Sequence, residues 1–411
     1  MKPVLVLLCA GQREYRESMV RRIAQRYRLA LVSPGPLTWE AAYAVDHVVV
    51  DPADTQGFID AAVGFSEKYP VAGVLTYHEW CVELAAIAGE KLGVPQCSPR
   101  AAVRCRDKWA TREALREAGV PSAGSRVVRS ADEARHAARE IGYPVVVKPR
   151  ALSASFGVSL VSSPDELAAA FDVAHSSGSN GAWEHTRGVL IEEYLDGPEI
   201  SVDSAISGAQ FETAIYAKKL LGYPPYFEEL GHIVAAPHLV VADPVRVRDV
   251  VRAAHEALGV DNTVTHTELR LTSAGPRIVE VNGRSGGDVI SDLAWLSTGI
   301  DIAGASADIA VGIAPDLSVT RDLVAGVRFL YADSSGVVES CRLDPEVESA
   351  PWLQRIEWLI RPGTTIRPEP GRRYFARVGF AVVTADSISE CEARMESVAT
   401  RAEIRTAPIS P

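Results

Sequence analysis

Apolar and polar positions in the first hundred residues alternate between two periods. Val4–Cys9 is a short β-branched and leucine-rich run, the pattern of a buried strand, and residues 14–28 then read as a helix. Leu29–Ser33, Val48–Asp51, a helix near 56–68 and Gly73–Thr76 continue the alternation. Strand and helix in turn predict a parallel, doubly wound sheet. The opening Met1-Lys2-Pro3 before Val4–Ala10 superficially suggests a signal peptide. Its apolar run sits at the lower length limit and no A-x-A-like site follows, so a first buried strand is the expected reading. The first turn is Ala10-Gly11-Gln12-Arg13, without the G-x-G-x-x-G fingerprint. The unit ending near 100 is therefore expected to hold a substrate or act as scaffold, not to bind NAD.

Beyond it, Asp107 caps a helix over 107–118 that Gly119-Val120-Pro121 stops. Ser125–Val128, a helix over 130–141, Val145–Lys148 and Val158–Val161 make a small α+β unit, and Ser176–Gly181 reads as a mobile loop. Strands are predicted at 189–193, 199–207, 211–219, 265–271 and 277–282. The spacing is too irregular for a repeat protein. After about 320 the pattern turns to short strands with Gly and Pro turns, at 324–331, 336–341, 356–360 and 374–384. A last helix over 387–400 precedes a tail expected to fray. Residues 1–100, 101–320 (with a lid subdomain about 122–192) and 321–411 are the expected domains, which suits a chain of 411 residues.

Charge and cysteine usage narrow the function. Lys and Arg number 42 against 53 Asp and Glu, a formal charge of −11, with no basic tract. That is a poor basis for general nucleic-acid binding. The most apolar stretch, 295–314, carries Asp301 and Asp308, so no membrane span is expected. Six cysteines show no C-x-x-C pair, so neither a disulfide framework nor a zinc site is expected, and a reducing cytoplasm fits.

Four constellations carry candidate chemistry. The first is Thr265–Leu271, a Ser-Ala-Gly-Pro turn, then Arg277–Arg284, which reads as a β-hairpin. With the turn centred on Ala274, Glu268 and Glu280 stand opposite each other. Cross-strand neighbours lie ~5 Å apart, and like charges there repel unless a cation intervenes. Period-2 geometry puts Glu280, Asn282 and Arg284 on one face. Two carboxylates and an amide oxygen suit Mg²⁺; a solvated hairpin face is the plainer alternative. The second is Gly142–Pro149, in which a buried strand delivers Lys148, followed by the small-residue loop 150–157. Such a loop can aim N–H groups and hydroxyls at phosphates, although the lysine of a simple hairpin can also snorkel to solvent. The third, Val189–Asp203, is two strands meeting at Gly197-Pro198. An open edge there would pair with an adenine, and Glu199 would accept from ribose hydroxyls; an ordinary β-hinge is the alternative. The fourth joins Lys218-Lys219 to Tyr226–His232, where an acid and a histidine three apart could grip an amino or carboxylate group, or the histidine could simply cap a loop. The nine histidines show no zinc spacing, and no G-x-S-x-G appears.

Taken in order, these motifs resemble the ATP-grasp superfamily over about residues 1–400. The likeness rests on Asp107-Lys108 opening a helix, Pro144–Lys148 with its Ser/Gly loop, Ile191–Leu195 with Glu199, and Glu268…Glu280-x-Asn282-x-Arg284. Tyr226–His232 and Arg284-Ser285-Gly286-Gly287 carry a closer resemblance to carboxylate–amine ligases of the L-amino-acid (dipeptide) ligase type. The resemblance implies an ATP-grasp fold with an N-terminal Rossmann-like (pre-ATP-grasp) domain, a small lid and a mostly antiparallel C-terminal β cap. It implies ATP contacts from Lys108, Lys148, Ser153, Ser155, Gly157, Glu192, Tyr194, Leu195 and Glu199. Mg²⁺, with Mn²⁺ as a substitute, would sit on Glu268, Glu280 and Asn282. Arg284 and Gly287, with Lys148, would face the reacting phosphoryl and acyl groups, and Glu229 and His232 would line the amino-acid site.

The implied activity joins a small-molecule carboxylate to an amine in the cytoplasm, with neither nucleic acid nor membrane as partner and a homodimer left open. A biotin-carboxylase-like enzyme is the rival within the superfamily. There Gln-Val-Glu follows the arginine, whereas here Ser285-Gly286-Gly287-Asp288 does. A non-catalytic nucleotide-binding regulator, and an interaction protein on a Rossmann-like scaffold, are the readings outside enzymology.

Overall fold

The computed structural model describes residues 2–152, 155–179, 188–369 and 373–409. The N-terminal alternation becomes a four-stranded parallel sheet of order β3-β2-β1-β4, from β1 (Val4–Leu8), β2 (Arg28–Ser33), β3 (Ala44–Val49) and β4 (Val71–Thr76). Every β1 side chain is buried, because helices cover both faces of the sheet. The helix Arg13–Arg26 turns Tyr15, Met19, Val20 and Ile23 inward. β3 spans 44–49 rather than 48–51, and it alternates half-buried with exposed positions as an edge strand does.

The lid is a second, antiparallel sheet of order β5-β8-β6-β7, from β5 (Ser125–Val128), β6 (Val145–Pro149), β7 (Ser159–Val161) and β8 (Val189–Glu193). The segment 176–179, expected as loop, continues the helix Leu167–Ser179. Leu167, Phe171 and Ala174 of that helix are buried on the lid core, and this packing carries it through its serines; residues 180 and 181 of the expected loop lie outside the described ones.

The third sheet has eight antiparallel strands. Its order is β13-β12-β9-β10-β11-β14-β18-β16, built from β9 (Glu199–Ser207), β10 (Gln210–Gly222), β11 (Glu228–Ala235), β12 (Thr263–Thr272), β13 (Gly275–Asn282), β14 (Val324–Tyr331), β16 (Leu353–Trp358) and β18 (Arg377–Ala385). The sheet is continuous across residue 320, because β11 pairs with β14. The helices Ile290–Ser297 and Ile302–Ala310 seal one apolar face of this sheet, and Pro244–Leu258 packs on another part of it. The 295–314 stretch is thus two short core helices. Asp308 is buried there, bonded to Tyr27 and Arg26. No helix among the described residues is long and apolar enough to cross a membrane.

A three-stranded sheet of order β17-β15-β19 completes the C-terminal region, from β15 (Gly336–Leu343), β17 (Thr365–Ile366) and β19 (Ala402–Ala407). β19 overturns the expected frayed tail. It pairs with β15 from Val337↔Ala407 to Leu343↔Ala402, so the ladder takes up its backbone groups.

Candidate active site

Two adjoining cavities hold most of the candidate residues, while Asn282 and Gly157 line neither. The first lies between the lid and the central sheet, lined by Lys108, Lys148, Ser155, Glu192, Tyr194, Leu195, Glu199, Glu268 and Glu280 among others. The second lies where the N-terminal sheet, the central sheet and the C-terminal region meet. Arg284, Gly287, Glu229 and His232 line it, together with Arg16, Tyr77 and Glu79. Glu229 and Glu268 border both.

The hairpin delivers the acids as expected, by a different turn. Thr272 pairs with Gly275, so only Ser273 and Ala274 form the loop, and that register alone would set Glu268 opposite Val279. A shift between Glu268 and Leu269 restores the Glu268↔Glu280 pair. Cations hold the two carboxylates. Lys219 Nζ lies 3.1 Å from Glu268, and Lys108 Nζ donates to Glu280 Oε1 at 2.9 Å. Burial favours a neutral Glu268, but Lys219 and His266 outweigh it and hold the carboxyl well below its usual range. Asn282 is buried; its amide donates to the His266 carbonyl oxygen at 3.5 Å, and its Oδ1 has no partner. A buried amide oxygen without a donor, beside two carboxylates, is a donor set that a hard divalent cation fits.

Lys148, on β6, lies 2.5 Å from Glu192 Oε2. Glu192 also accepts two bonds from Arg112, at 2.8 and 3.0 Å. The Glu192 side chain is therefore committed to cations. β8 lies between β5 and β6, so it offers no open edge for an adenine. Tyr194 and Leu195 line the cavity from the segment that follows β8, and the Tyr194 ring stacks on Phe227 with Arg270 over both. Glu199 is held by Arg270 at 2.7 Å and Lys219 at 2.9 Å. Ser155 turns through a left-handed conformation (φ 55°) into the cavity. Gly157 sits behind it, where a Cβ would come within 3.0 Å of the Ser177 side chain. Ser153 lies outside the described residues.

In the second cavity, Arg284 falls just past β13 and pairs with Glu79 of the N-terminal unit at 2.6 Å. Burial would raise Glu79, but Arg284 and Arg106 hold it at about 2. His232 bonds Asp288 at 3.0 Å and lies 3.9 Å from Glu229. Asp288, in a left-handed conformation (φ 47°), also accepts from Arg377 of β18 at 2.7 Å. Five residues central to these pairings were given no role of their own in the sequence reading: Glu79, Arg112, Lys219, Asp288 and Arg377. For Lys219 a signal existed. Period 2 along β10 puts it on the face of buried Ala217, and a lysine facing inward requires carboxylates. Glu199, Glu229 and Glu268 all lie within 3.2 Å of it. The others pair across sequence separations that local patterns do not reveal.

The comparisons with known proteins agree with this geometry. Residues 141–292 match the ATP-grasp domain, and residues 328–407 match the L-amino acid ligase C-terminal domain 2. Residues 141–292 thus carry an ATP-grasp domain. The chain is 29% identical over 417 residues to an uncharacterized protein of Sinorhizobium fredii, across 100% of this chain and 84% of the relative. It is 29% identical to the alanine–anticapsin ligase of Bacillus subtilis over 56% of this chain and 52% of that protein, so the matched region spans about half of the ligase. Its fold superposes on the L-amino acid ligase of Bacillus licheniformis with a TM-score of 0.83, at 22% identity over 99% of both chains.

The Glu192 cluster predicts an acid limb in the protein's stability. Burial works against the Glu192 charge, but Arg112 and Lys148 dominate and hold its pKa at about 2. A depressed folded pKa stabilises above the unfolded value and is lost as pH falls. The contribution is thus complete above about 4.5 and disappears towards about 2. Glu192→Gln should lower stability at pH 7 by about 3–5 kcal/mol, since it strands two buried cations. It should also flatten the melting-temperature slope between pH 4.5 and 2. An unchanged slope in thermal melts would remove Glu192 from the account.

Proposed function

We propose that this protein activates a carboxylate, that of an amino acid, as an acyl phosphate and joins it to the amine of a second amino acid, releasing ADP and phosphate. One observation carries the reading: Glu229 and Glu268 border both cavities, so a phosphoryl group in the first can meet a carboxylate in the second. ATP would occupy the lid cavity, with Lys108 and Lys148 on its phosphates, the 155–157 loop over them, and the base and ribose near Tyr194, Leu195 and Glu199. Glu268, Glu280 and Asn282 would hold Mg²⁺, with Mn²⁺ as a substitute. When bound, that ion supplies positive charge against the phosphoryl oxygens.

A carboxylate resists attack by an amine because its leaving group would be hydroxide. The carboxylate oxygen takes the γ-phosphoryl group and ADP departs; the amine nitrogen then forms the bond to the acyl carbon, and phosphate leaves with the C–O electron pair. Lys108, Lys148 and Arg284 lower the repulsion between a carboxylate and polyanionic ATP. Glu229, braced by Lys219 and beside His232, would accept the ammonium of the first amino acid. The lid over the first cavity would exclude water, which would otherwise hydrolyse the acyl phosphate. The reducing cytoplasm, where ATP is abundant, is the compartment this chemistry suits.

The test is to screen amino-acid pairs for phosphate release with ATP and Mg²⁺, with mass spectrometry of the products. Peptide product together with stoichiometric ADP is expected. ATP binding without ADP release for any pair would favour the regulator reading instead.

A further inference from the structure

The second cavity has a cationic end that the reaction as outlined leaves unused. Arg16 lies on the helix Arg13–Arg26, in the wall formed by Cys9, Ala10, Gly11 and Gln12. Its side chain crosses Gly11, where a Cβ would lie 3.1 Å from the Arg16 Cγ. Gly11 has φ 88°, a conformation that favours glycine. Arg16 Nη1 donates to the Asp288 carbonyl oxygen at 3.1 Å and lies 3.5 Å from Met19 Sδ. Among the described residues it forms no ion pair, whereas Arg284, which lines the same cavity, pairs with Glu79, which Arg106 also holds, and Arg377 behind the cavity holds Asp288. Burial and the neighbouring Arg284 lower the Arg16 pKa, and the Asp288 carboxylate, itself bound by Arg377 and His232, offsets them only in part. Tyr77 lines the same wall. It is 5% exposed, and its hydroxyl has no hydrogen-bond partner among the described residues.

We infer that Arg16 and Tyr77 form the subsite for an anionic group on the amine substrate, a carboxylate or a phosphate-like group. The inference rests on the ligase reading and deepens it. An amine whose anion is held at this end would have its nitrogen directed towards Arg284 and the acyl group, while the ammonium of the acyl donor occupies the acidic end at Glu229 and His232. The bond formed would then lie between an anion pocket and an ammonium pocket, and neutral amines would be poor acceptors.

The experiment uses the full chain with ATP and Mg²⁺. The acyl donor is the amino acid that gives most hydroxamate with hydroxylamine. The amines are L-alanine, L-alaninamide and 1-aminoethylphosphonate, with products read by mass spectrometry. Wild type should favour L-alanine over L-alaninamide by at least ~10-fold in kcat/KM, about 1.4 kcal/mol of discrimination. Arg16→Gln should remove that preference by raising KM for L-alanine, with KM for L-alaninamide within about twofold, and Arg16→Lys should restore part of it. Tyr77→Phe should weaken L-alanine a few-fold in the same selective way, and it carries the test if Arg16→Gln does not fold. The lower KM of L-alanine or the aminophosphonate names the anion. Equal losses on L-alanine and L-alaninamide, or a wild type indifferent to the anion, would overturn the subsite. Absence of hydroxamate with every amino acid would count against the ligase reading itself.

Discussion

Glu280→Gln is expected to fold like the parent and to lose ADP formation by at least ~10²-fold at saturating Mg²⁺. The substitution keeps the volume and one oxygen, so Lys108 retains an acceptor for the bond it now makes at 2.9 Å. The pair is largely but not fully buried, with side-chain exposures of 9% and 16%. Losing its charge should therefore cost stability only about 1 kcal/mol, in the range of a hydrogen bond. Turnover is the sensitive quantity. Removing an outer-shell partner of a metal ligand typically costs ~10–100-fold, and removing the charge of a proposed ligand should cost no less. The opposition of Glu268 and Glu280 makes the same point from stability: two carboxylates face to face are tolerated because cations satisfy them, Lys219 on one and Lys108 on the other. Melting temperature, Mg²⁺ dependence and ADP release measured together check this. More than about a tenth of wild-type turnover, a barrier change under ~1.4 kcal/mol, would remove Glu280 from the metal set.

Period-2 and helical patterns carried most of the fold, because burial dictates them locally. The β-hairpin is the clearest case: alternation along Thr265–Leu271 and Arg277–Asn282 sets the faces, and the Glu268–Glu280 opposition follows. What was not legible was the bulge that produces that pairing, since a register shift leaves no composition signature when Val279 occupies it. The Leu167–Ser179 helix was not expected at all: only its Ser- and Gly-rich end was singled out, and as a loop, because Ser176, Ser177, Gly178 and Ser179 have poor helix propensity. The tail failed as a prediction because its partner, β15, lies sixty residues earlier. In the site, residues grouped in short motifs were found, Lys108 and Lys148 among them, but the arginines that complete the charge clusters were not. Arg112 reaches Glu192 across eighty positions and Arg377 reaches Asp288 across eighty-nine, distances at which sequence spacing says nothing about contact. The acids were visible because the hairpin and the β8–β9 junction concentrate them, whereas Arg112, Lys219 and Arg377 come from elements outside both.

Arg284→Lys is the sharper test of where the two cavities divide. Arg284 lines the second cavity and not the first, and its guanidinium is fixed on two sides: Nε lies 2.6 Å from Glu79 Oε2, and Nη1 donates to the Ser285 carbonyl oxygen at 2.8 Å. Glu79 is itself held by Arg106 at 3.0 Å, so the N-terminal unit orients the arginine through a second residue. A planar fork braced in this way can meet two oxygens of a carboxylate or an acyl phosphate while keeping its partner. Lysine keeps the charge, but its single ammonium cannot serve Glu79 and two substrate oxygens in the same plane. Product formation should fall by ~10²-fold or more, the usual loss of one transition-state donor. ATP affinity should stay within a few-fold, because Lys108 and Lys148 remain. Arg284→Met should be more severe, since it also strands Glu79 beside Arg106 alone. Nucleotide binding by calorimetry, set against peptide yield by mass spectrometry, separates the outcomes. Parallel loss of ATP binding and turnover would make Arg284 an anchor for the nucleotide, and full peptide synthesis in both variants would remove it from the acyl site.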